Sequence, residues 1–151
     1  MIQMRQANIG DAEALFSWRN DPVTCANSKS TAEVAREEHD QWMRFNVLHG
    51  YPTHLVLIGE SDAGRVGVVR FDAQRGDVMR YDVSITTAPK HRGKGLGEDM
   101  LKQACSIMQE YTLTAEVRRE NIASRRIFEN CGFEQVSPND HFVKYRRHPL
   151  T

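Results

Sequence analysis

The stretch Pro89-Lys90-His91-Arg92-Gly93-Lys94-Gly95-Leu96-Gly97 lies between a segment of strand character, Met79–Thr87, and one of helical spacing, Leu96–Tyr111. Its glycines let the backbone turn and approach a ligand with no Cβ in the way. The amides of Gly93, Lys94, Gly95 and Gly97 are expected to converge where the helix begins. Unpaired N–H groups and the positive end of a helix dipole suit a pyrophosphate there, and Arg92 and Lys94 add charge. Spacing excludes a Walker loop, which needs GxxxxGK[ST], and Glu98 stands where a dinucleotide fingerprint needs its third glycine. A short glycine pattern also occurs as a plain turn, so its meaning depends on the rest of the chain.

Downstream, Leu96, Met100, Leu101, Ala104 and Met108 follow helical spacing, Leu113–Val117 reads as a strand, and Ala123–Asn130 as a helix. Phe133–Val136 and His141–Tyr145 close the chain as strands. Upstream, Ile2–Gln6 alternates as a short strand. Asp11 is expected to cap a helix over Ala12–Asn20, stopped by Asp21-Pro22. Ser30 with Glu33 has the form of a capping box opening a helix to about Val47. His54–Gly59 and Arg65–Asp72 are strands joined by the turn-rich Glu60–Gly64, and a further turn at Gln74–Asp77 leads into Met79–Thr87. This order predicts an α/β mixed sheet with helices on its faces. The strands of Met79–Thr87 and Leu113–Val117 should be parallel, joined by a right-handed crossover.

The chain has 151 residues, one domain's worth, with no repeat or linker to divide it. Its 20 basic and 20 acidic residues cancel, which removes the electrostatic footprint of a nucleic-acid binder and favours a small-molecule partner. Cys25, Cys105 and Cys131 form no CxxC pair and no zinc spacing with histidine, so neither a metal site nor a disulfide framework is expected. No apolar run is long enough for a membrane span and no signal peptide is evident. A cytoplasmic enzyme is expected.

Arg92-x-x-Gly95-x-Gly97, after a strand and before a helix, resembles the acetyl-CoA motif of the GNAT superfamily of N-acetyltransferases. The run from Ala115-Glu116-Val117-Arg118-Arg119-Glu120-Asn121 to Phe128-Glu129-Asn130-Cys131-Gly132-Phe133 resembles that family's following strand, its CoA-contacting Asn and its helix ending in Gly-Phe. The resemblance implies a central, mostly antiparallel sheet with one splayed parallel strand pair, and acetyl-CoA as co-substrate entering the splay. Along the cofactor it places Ile85, Thr87, Arg92, Gly93, Lys94, Gly95, Leu96, Gly97, Asn121 and Phe128. Many relatives carry Tyr at the position of Phe128 to protonate the leaving thiolate; a phenyl ring has no proton to donate.

N-acetyl transfer from a thioester needs a neutral amine, a path for its proton and a stabilised oxyanion. No cysteine is required as a nucleophile, and Cys105 and Cys131 read as small apolar fillers. Glu116, five residues before Asn121, resembles a catalytic Glu of the protein N-terminal branch and is the first candidate for the base. Its alternative is a solvated residue or a partner of Arg118. Asp82 on the other splayed strand is the second candidate, with Tyr81 beside it.

The amino-terminal half, with Trp18-Arg19-Asn20-Asp21-Pro22, Glu37–Trp42, Gly67–Asp72 and Val83-Ser84-Ile85, resembles the branch that acetylates nucleotide-linked amino sugars in the pseudaminic-acid pathway. That implies a UDP-linked 4-amino sugar as acceptor. Trp18 and Trp42 offer ring surfaces or core packing, Arg19 and Arg70 could meet a diphosphate, and Asn20 and His39 could bond hydroxyls. Arg70, mid-strand, needs a partner such as Asp72 or Asp82. The rival readings are a ribosomal-protein-type N-terminal acetyltransferase and a catalytically silent acetyl-CoA-binding module. Strands within Phe133–Arg146 could pair with a second copy.

Overall fold

The computed structural model describes residues 1–150. One seven-stranded sheet runs in the order β1-β2-β3-β4-β5-β7-β6. Its strands are β1 (Gln3–Gln6), β2 (His54–Ser61), β3 (Gly64–Gln74), β4 (Asp77–Thr87), β5 (Thr112–Arg118), β6 (Glu134–Pro138) and β7 (Phe142–Arg147). All neighbours are antiparallel except β4 and β5. The helices are α1 (Ala12–Arg19), α2 (Pro22–Asn27), α3 (Arg36–Trp42), which continues as a π turn over Met43–Leu48, α4 (Leu96–Ile107) and α5 (Ile122–Asn130). The expected mixed sheet with one parallel pair and helices on both faces is what the chain forms.

The helices explain the sequence pattern of the strands. In β2, Leu55 to Gly59 are all buried, because α1 and the π turn cover one face and α4 the other. On one side Leu15, Trp18 and Met43 pack with Ile58 and Ala88; on the other, Met100, Leu101, Ala104 and Cys105 of α4 pack with Leu57, Val69 and Val83. In β5 the alternation is clean, with Leu113, Ala115 and Val117 inward and Thr114, Glu116 and Arg118 on the opposite face. The glycines of β2 and β3 make room for α4. A Cβ on Gly67 would lie 2.5 Å from the Thr86 carbonyl oxygen and 2.5 Å from Met100 Cε, and one on Gly59 would lie 2.7 Å from Met100 Sδ.

Several local expectations are corrected. The Ser30–Glu33 box opens no helix: α3 starts at Arg36, and Ala35 precedes it without a side-chain cap. Tertiary bonds claim the intervening backbone instead. Asn20 brackets Val34, accepting from its N–H at 2.7 Å and donating to its carbonyl at 2.9 Å. Asp21-Pro22 ends α1 but also begins α2: the Asp21 carboxylate accepts from Val23 N and Thr24 N, and Pro22 takes the first helical position. Asp11 does not cap α1 through its side chain. Its carboxylate accepts from Asn8 N, Arg5 and Arg65, while Asn8 caps the short 3-10 turn Ile9–Asp11. The β2–β3 turn is shorter than expected, since the strands reach Ser61 and restart at Gly64. The fourth helix ends at Ile107, and Tyr111 instead stacks on Tyr81 with ring centroids 5.1 Å apart. No helix among the described residues is long and apolar enough to cross a membrane.

Candidate active site

Strands β4 and β5 pair only through Arg80↔Thr112, Tyr81↔Leu113 and Asp82↔Thr114. Beyond that point β4 continues to Thr87 and β5 to Arg118 without pairing to each other. On their outer sides both stay in the sheet, β4 with β3 and β5 with β7. The two strands therefore part, and from Val83 and Ala115 onward each has an edge whose backbone groups are not used by the other. An extended chain with amides and carbonyls can add to such an edge.

At the wide end of this wedge lies the glycine loop. Pro89–His91 forms a 3-10 turn, and α4 begins after Gly95. Gly93 and Gly95 have φ of 78° and 74°, with open space where a Cβ would stand, so the need for glycine is conformational. Gly97 is different. A Cβ there would meet Ile127 Cδ1 at 3.0 Å and Thr87 Oγ1 at 3.1 Å, so its role is close packing of α4 on β4 and α5. No side chain caps α4. Among the described residues, the N–H groups of Gly93, Lys94 and Gly95 meet no backbone acceptor. The helix start thus presents uncapped N–H groups of the kind that suit an anion. Arg92 is turned toward α2, where Nη2 donates to Asp21 Oδ2 at 2.6 Å and to Thr24 Oγ1 at 3.0 Å.

The apex of the wedge is acidic. Asp82 Oδ1 accepts from Thr114 Oγ1 at 3.2 Å, across the last paired position. Burial raises the Asp82 carboxyl above the ordinary carboxylate range; Lys29 and the Thr114 hydrogen bond draw it down, and Asp72 and Glu116 push it up. Glu116 lies on the same face of β5. Lys29, from the segment between α2 and α3, reaches between them, its Nζ 3.9 Å from Asp82 Oδ2 and 3.7 Å from Glu116 Oε1. Arg118 does not pair with Glu116. It holds the segment that carries Lys29, donating to the Ser28 carbonyl at 2.9 Å and the Lys29 carbonyl at 3.2 Å.

Beside the apex, between the sheet and α1 and α3, is a cleft of about 240 Å³. Trp18, Arg19, His39, Trp42 and Arg70 line it, together with Val34, Glu38, Ser84 and Thr86. Arg70 Nε donates to Asp72 Oδ2 at 3.0 Å, one of the two partners expected for it, and its guanidinium lies over the Trp42 ring at 5.7 Å. Asp72 also meets His54 Nδ1 at 2.7 Å. His39 is 4% exposed, edge-on to Phe16 and tilted against Trp42, and burial lowers its pKa. Its Nδ1 has no partner among the described residues. Asn20 stands outside the lining because its amide is committed to Val34.

Two expected cofactor positions lie in supporting structure. Asn121 caps α5, accepting from Ser124 N at 3.3 Å. Phe128 is 2% exposed in the core, edge-on to Phe133 and stacked near Tyr145. Ile85 and Thr87 lie on the end of β4 that pairs with β3 but not with β5. Burial pushes the Cys105 thiol up to about 12 and the Cys131 thiol up to about 11, which leaves neither as a thiolate nucleophile near neutral pH. Lys29 and the Asp21–Thr24 clasp on Arg92 have no local sequence signature, since both are made by segments distant in the chain.

Residues 2–134 match the family model of the acetyltransferase (GNAT) domain. The chain is 32% identical over 139 residues to the L-methionine sulfoximine/L-methionine sulfone acetyltransferase of Salmonella typhimurium, covering 87% of this chain and 80% of that protein. It is 30% identical over 139 residues to the L-amino acid N-acyltransferase MnaT of Escherichia coli, covering 87% and 79%. The structure is similar to that of Vibrio cholerae spermidine N-acetyltransferase in complex with CoA and spermine. The TM-score is 0.80, at 17% identity over 96% of this chain and 93% of that one, a likeness of fold alone.

Proposed function

This chain belongs to the GNAT acetyltransferase family and is an acetyl-CoA-dependent N-acetyltransferase; from that premise we propose that its acceptor is a small primary amine carrying an anionic group, of α-amino-acid size. The observation that carries the proposal is the cleft beside Asp82. Its volume of about 240 Å³ lies below the ~300–1,000 Å³ of most small-molecule sites. It is lined by Arg19, Arg70 and His39, whose pKa burial lowers, and by Ser84, two residues along β4 from Asp82.

In this reading the pantetheine arm of acetyl-CoA lies in the wedge along Ile85–Thr87, and the loop amides of Gly93 to Gly97 hold the pyrophosphate. Arg92 and Lys94 supply charge to the phosphates, and Leu96 and Asn121 flank the cofactor's path. Arg70 holds the acceptor's anionic group through its Nη groups, which meet no partner among the described residues, while Arg19, tied by Nη1 to Cys25 Sγ and by Nη2 to the Ser30 carbonyl, frames the cleft beside it. The acceptor's ammonium sits between Asp82 and Glu116. Glu116 takes its proton, and the neutral nitrogen attacks the thioester carbonyl directly. The departing thiolate, whose conjugate acid is near the ordinary thiol range, takes a proton from water. Phe128, in the core, supports α5 and gives no proton.

A nucleotide-linked amino sugar is the second reading, favoured by Trp18 and Trp42 lining the same cleft as Arg70. Free-thiol release from acetyl-CoA decides between them on three acceptor sets: L-amino acids including methionine sulfone, UDP-linked 4-amino sugars, and peptides with free N-termini. Preference for amino acids supports the first reading. Preference for the sugar nucleotide replaces it with the second, and preference for peptides removes both.

A further inference from the structure

Three successive carbonyls of the segment between α2 and α3 are held by arginines. Arg118 donates to those of Ser28 and Lys29, and Arg19 Nη2 donates to that of Ser30 at 2.9 Å. Ser28 Oγ adds a bond to the Thr24 carbonyl at 2.7 Å. The backbone is thus fixed over the wedge, and from it the Lys29 side chain enters the space between Asp82 and Glu116. Lys29 Nζ is a primary amine placed between the two carboxylates that the function proposed above assigns to an acceptor's ammonium. Among the described residues no other lysine ion-pairs with either carboxylate. Lys102 pairs with Glu98 on α4.

We propose that Lys29 is an acetylation site of the enzyme itself, its Nζ taking acetyl from bound acetyl-CoA when no free amine displaces it. The inference rests on the acetyl transfer assigned to this wedge and names a second acceptor for the same chemistry. Glu116 accepts one proton from the Lys29 ammonium and passes it to solvent. The freed lone pair attacks the thioester carbonyl carbon; the C–N bond forms, the C–S bond breaks, and the electron pair leaves on sulfur. The second proton lost by Nζ goes to the CoA thiolate. The products are CoA and a neutral acetyl-lysine between Asp82 and Glu116, which then lack their counter-cation. A free amine able to enter the wedge competes with Lys29, so acceptor protects the site.

The test is incubation of the full chain with acetyl-CoA and no acceptor, followed by peptide mass mapping of Lys29, Lys90, Lys94, Lys102 and Lys144. A heat-denatured control and calorimetric titration with CoA accompany it. The expected result is acetyl on Lys29 at least ~10-fold faster than on the other four lysines. It is slowed about 100-fold in Glu116→Gln, suppressed by a turned-over acceptor, and absent from the denatured chain. Lys29→Arg, which keeps the cation, should bind CoA and stay unmodified at this position. CoA binding and acceptor turnover with no selective Lys29 acetylation would overturn the inference and leave the proposed function standing. Equal labelling of the denatured chain would overturn it as well, as chemical acetylation. No CoA binding and no turnover would remove the proposed function and this inference together.

Discussion

Arg92 of the glycine loop and Asp21 at the start of α2 are joined by a 2.6 Å charge-assisted hydrogen bond that ties the proposed phosphate site to the acceptor-side helices. The bond also holds the Asp21 carboxyl below its usual range. To reach a pyrophosphate, Arg92 must leave Asp21. A partly exposed pair of this kind is worth about 0–1 kcal/mol. Asp21→Asn, which keeps the cap acceptor, is therefore expected to tighten acetyl-CoA binding by up to about fivefold in calorimetry. Arg92→Ala should weaken it by about tenfold or more. If Asp21→Asn weakens binding, Arg92 serves the loop from where it stands.

The loop glycines should fail in different ways. Gly95, at φ 74° in open space, is limited by backbone conformation, so Gly95→Ala costs about 1–2 kcal/mol of stability and Gly95→Asn costs less. Gly97 is limited by Ile127 and Thr87, so Gly97→Asn should be worse than Gly97→Ala. Thermal melts and acetyl-CoA KM for the four variants check the inversion.

The Asp82 carboxyl is raised by burial and drawn down chiefly by Lys29, with Thr114 helping and Asp72 and Glu116 opposing. Proton removal between Asp82 and Glu116 needs the ionised pair, so activity falls on the acid side as Asp82 protonates, above the ordinary carboxylate range. Lys29→Met removes the cation and should move that acid limb to higher pH. Asp82→Asn should abolish it, and Glu116→Gln should lower kcat by about 10²–10⁴-fold. His39, already held neutral by burial, adds no limb of its own near neutral pH. The pH dependence of kcat/KM, which reports the free enzyme in which Lys29 faces Asp82, is the measurement for these variants.

Asp11 is fully buried and accepts from Arg5, Arg65 and Asn8 N, and these bonds hold its carboxyl well below the usual range despite burial. A carboxyl lowered in the folded state contributes stability above its unfolded pKa of about 3.9 and loses it as pH falls toward the folded value. Asp11→Asn should cost about 2–3 kcal/mol at pH 7. That is less than the 3–5 typical of breaking a fully buried pair, because Arg5 and Arg65 keep a third or more of their side-chain surface in water. Urea melts across pH 3–7 should show a flatter acid dependence in the variant.

The sheet was legible from the sequence because its strands carry their burial in their spelling. Leu55–Ile58 is an unbroken apolar run, and Leu113 to Val117 alternates. The glycine loop was legible for the same reason, since local backbone demands choose glycine. The segment from Ser28 to Ala35 was not. Its capping-box pattern lost to bonds from Asn20, Arg19 and Arg118, which no local window contains. The same distance hid Lys29 between Asp82 and Glu116, and it hid the use of Asn20 as a backbone clasp on Val34. The five cleft residues Trp18, Arg19, His39, Trp42 and Arg70 were found by type, and the fold brings them together.

The most direct test of the account is acetyl-CoA turnover, followed by free-thiol release, with L-amino acids as acceptors in the native chain, Glu116→Gln and Arg92→Ala. The account predicts turnover in the native chain, a kcat loss in Glu116→Gln with acetyl-CoA affinity kept, and a raised acetyl-CoA KM in Arg92→Ala. Undiminished kcat in Glu116→Gln would contradict the placement of the chemistry at the apex of the wedge.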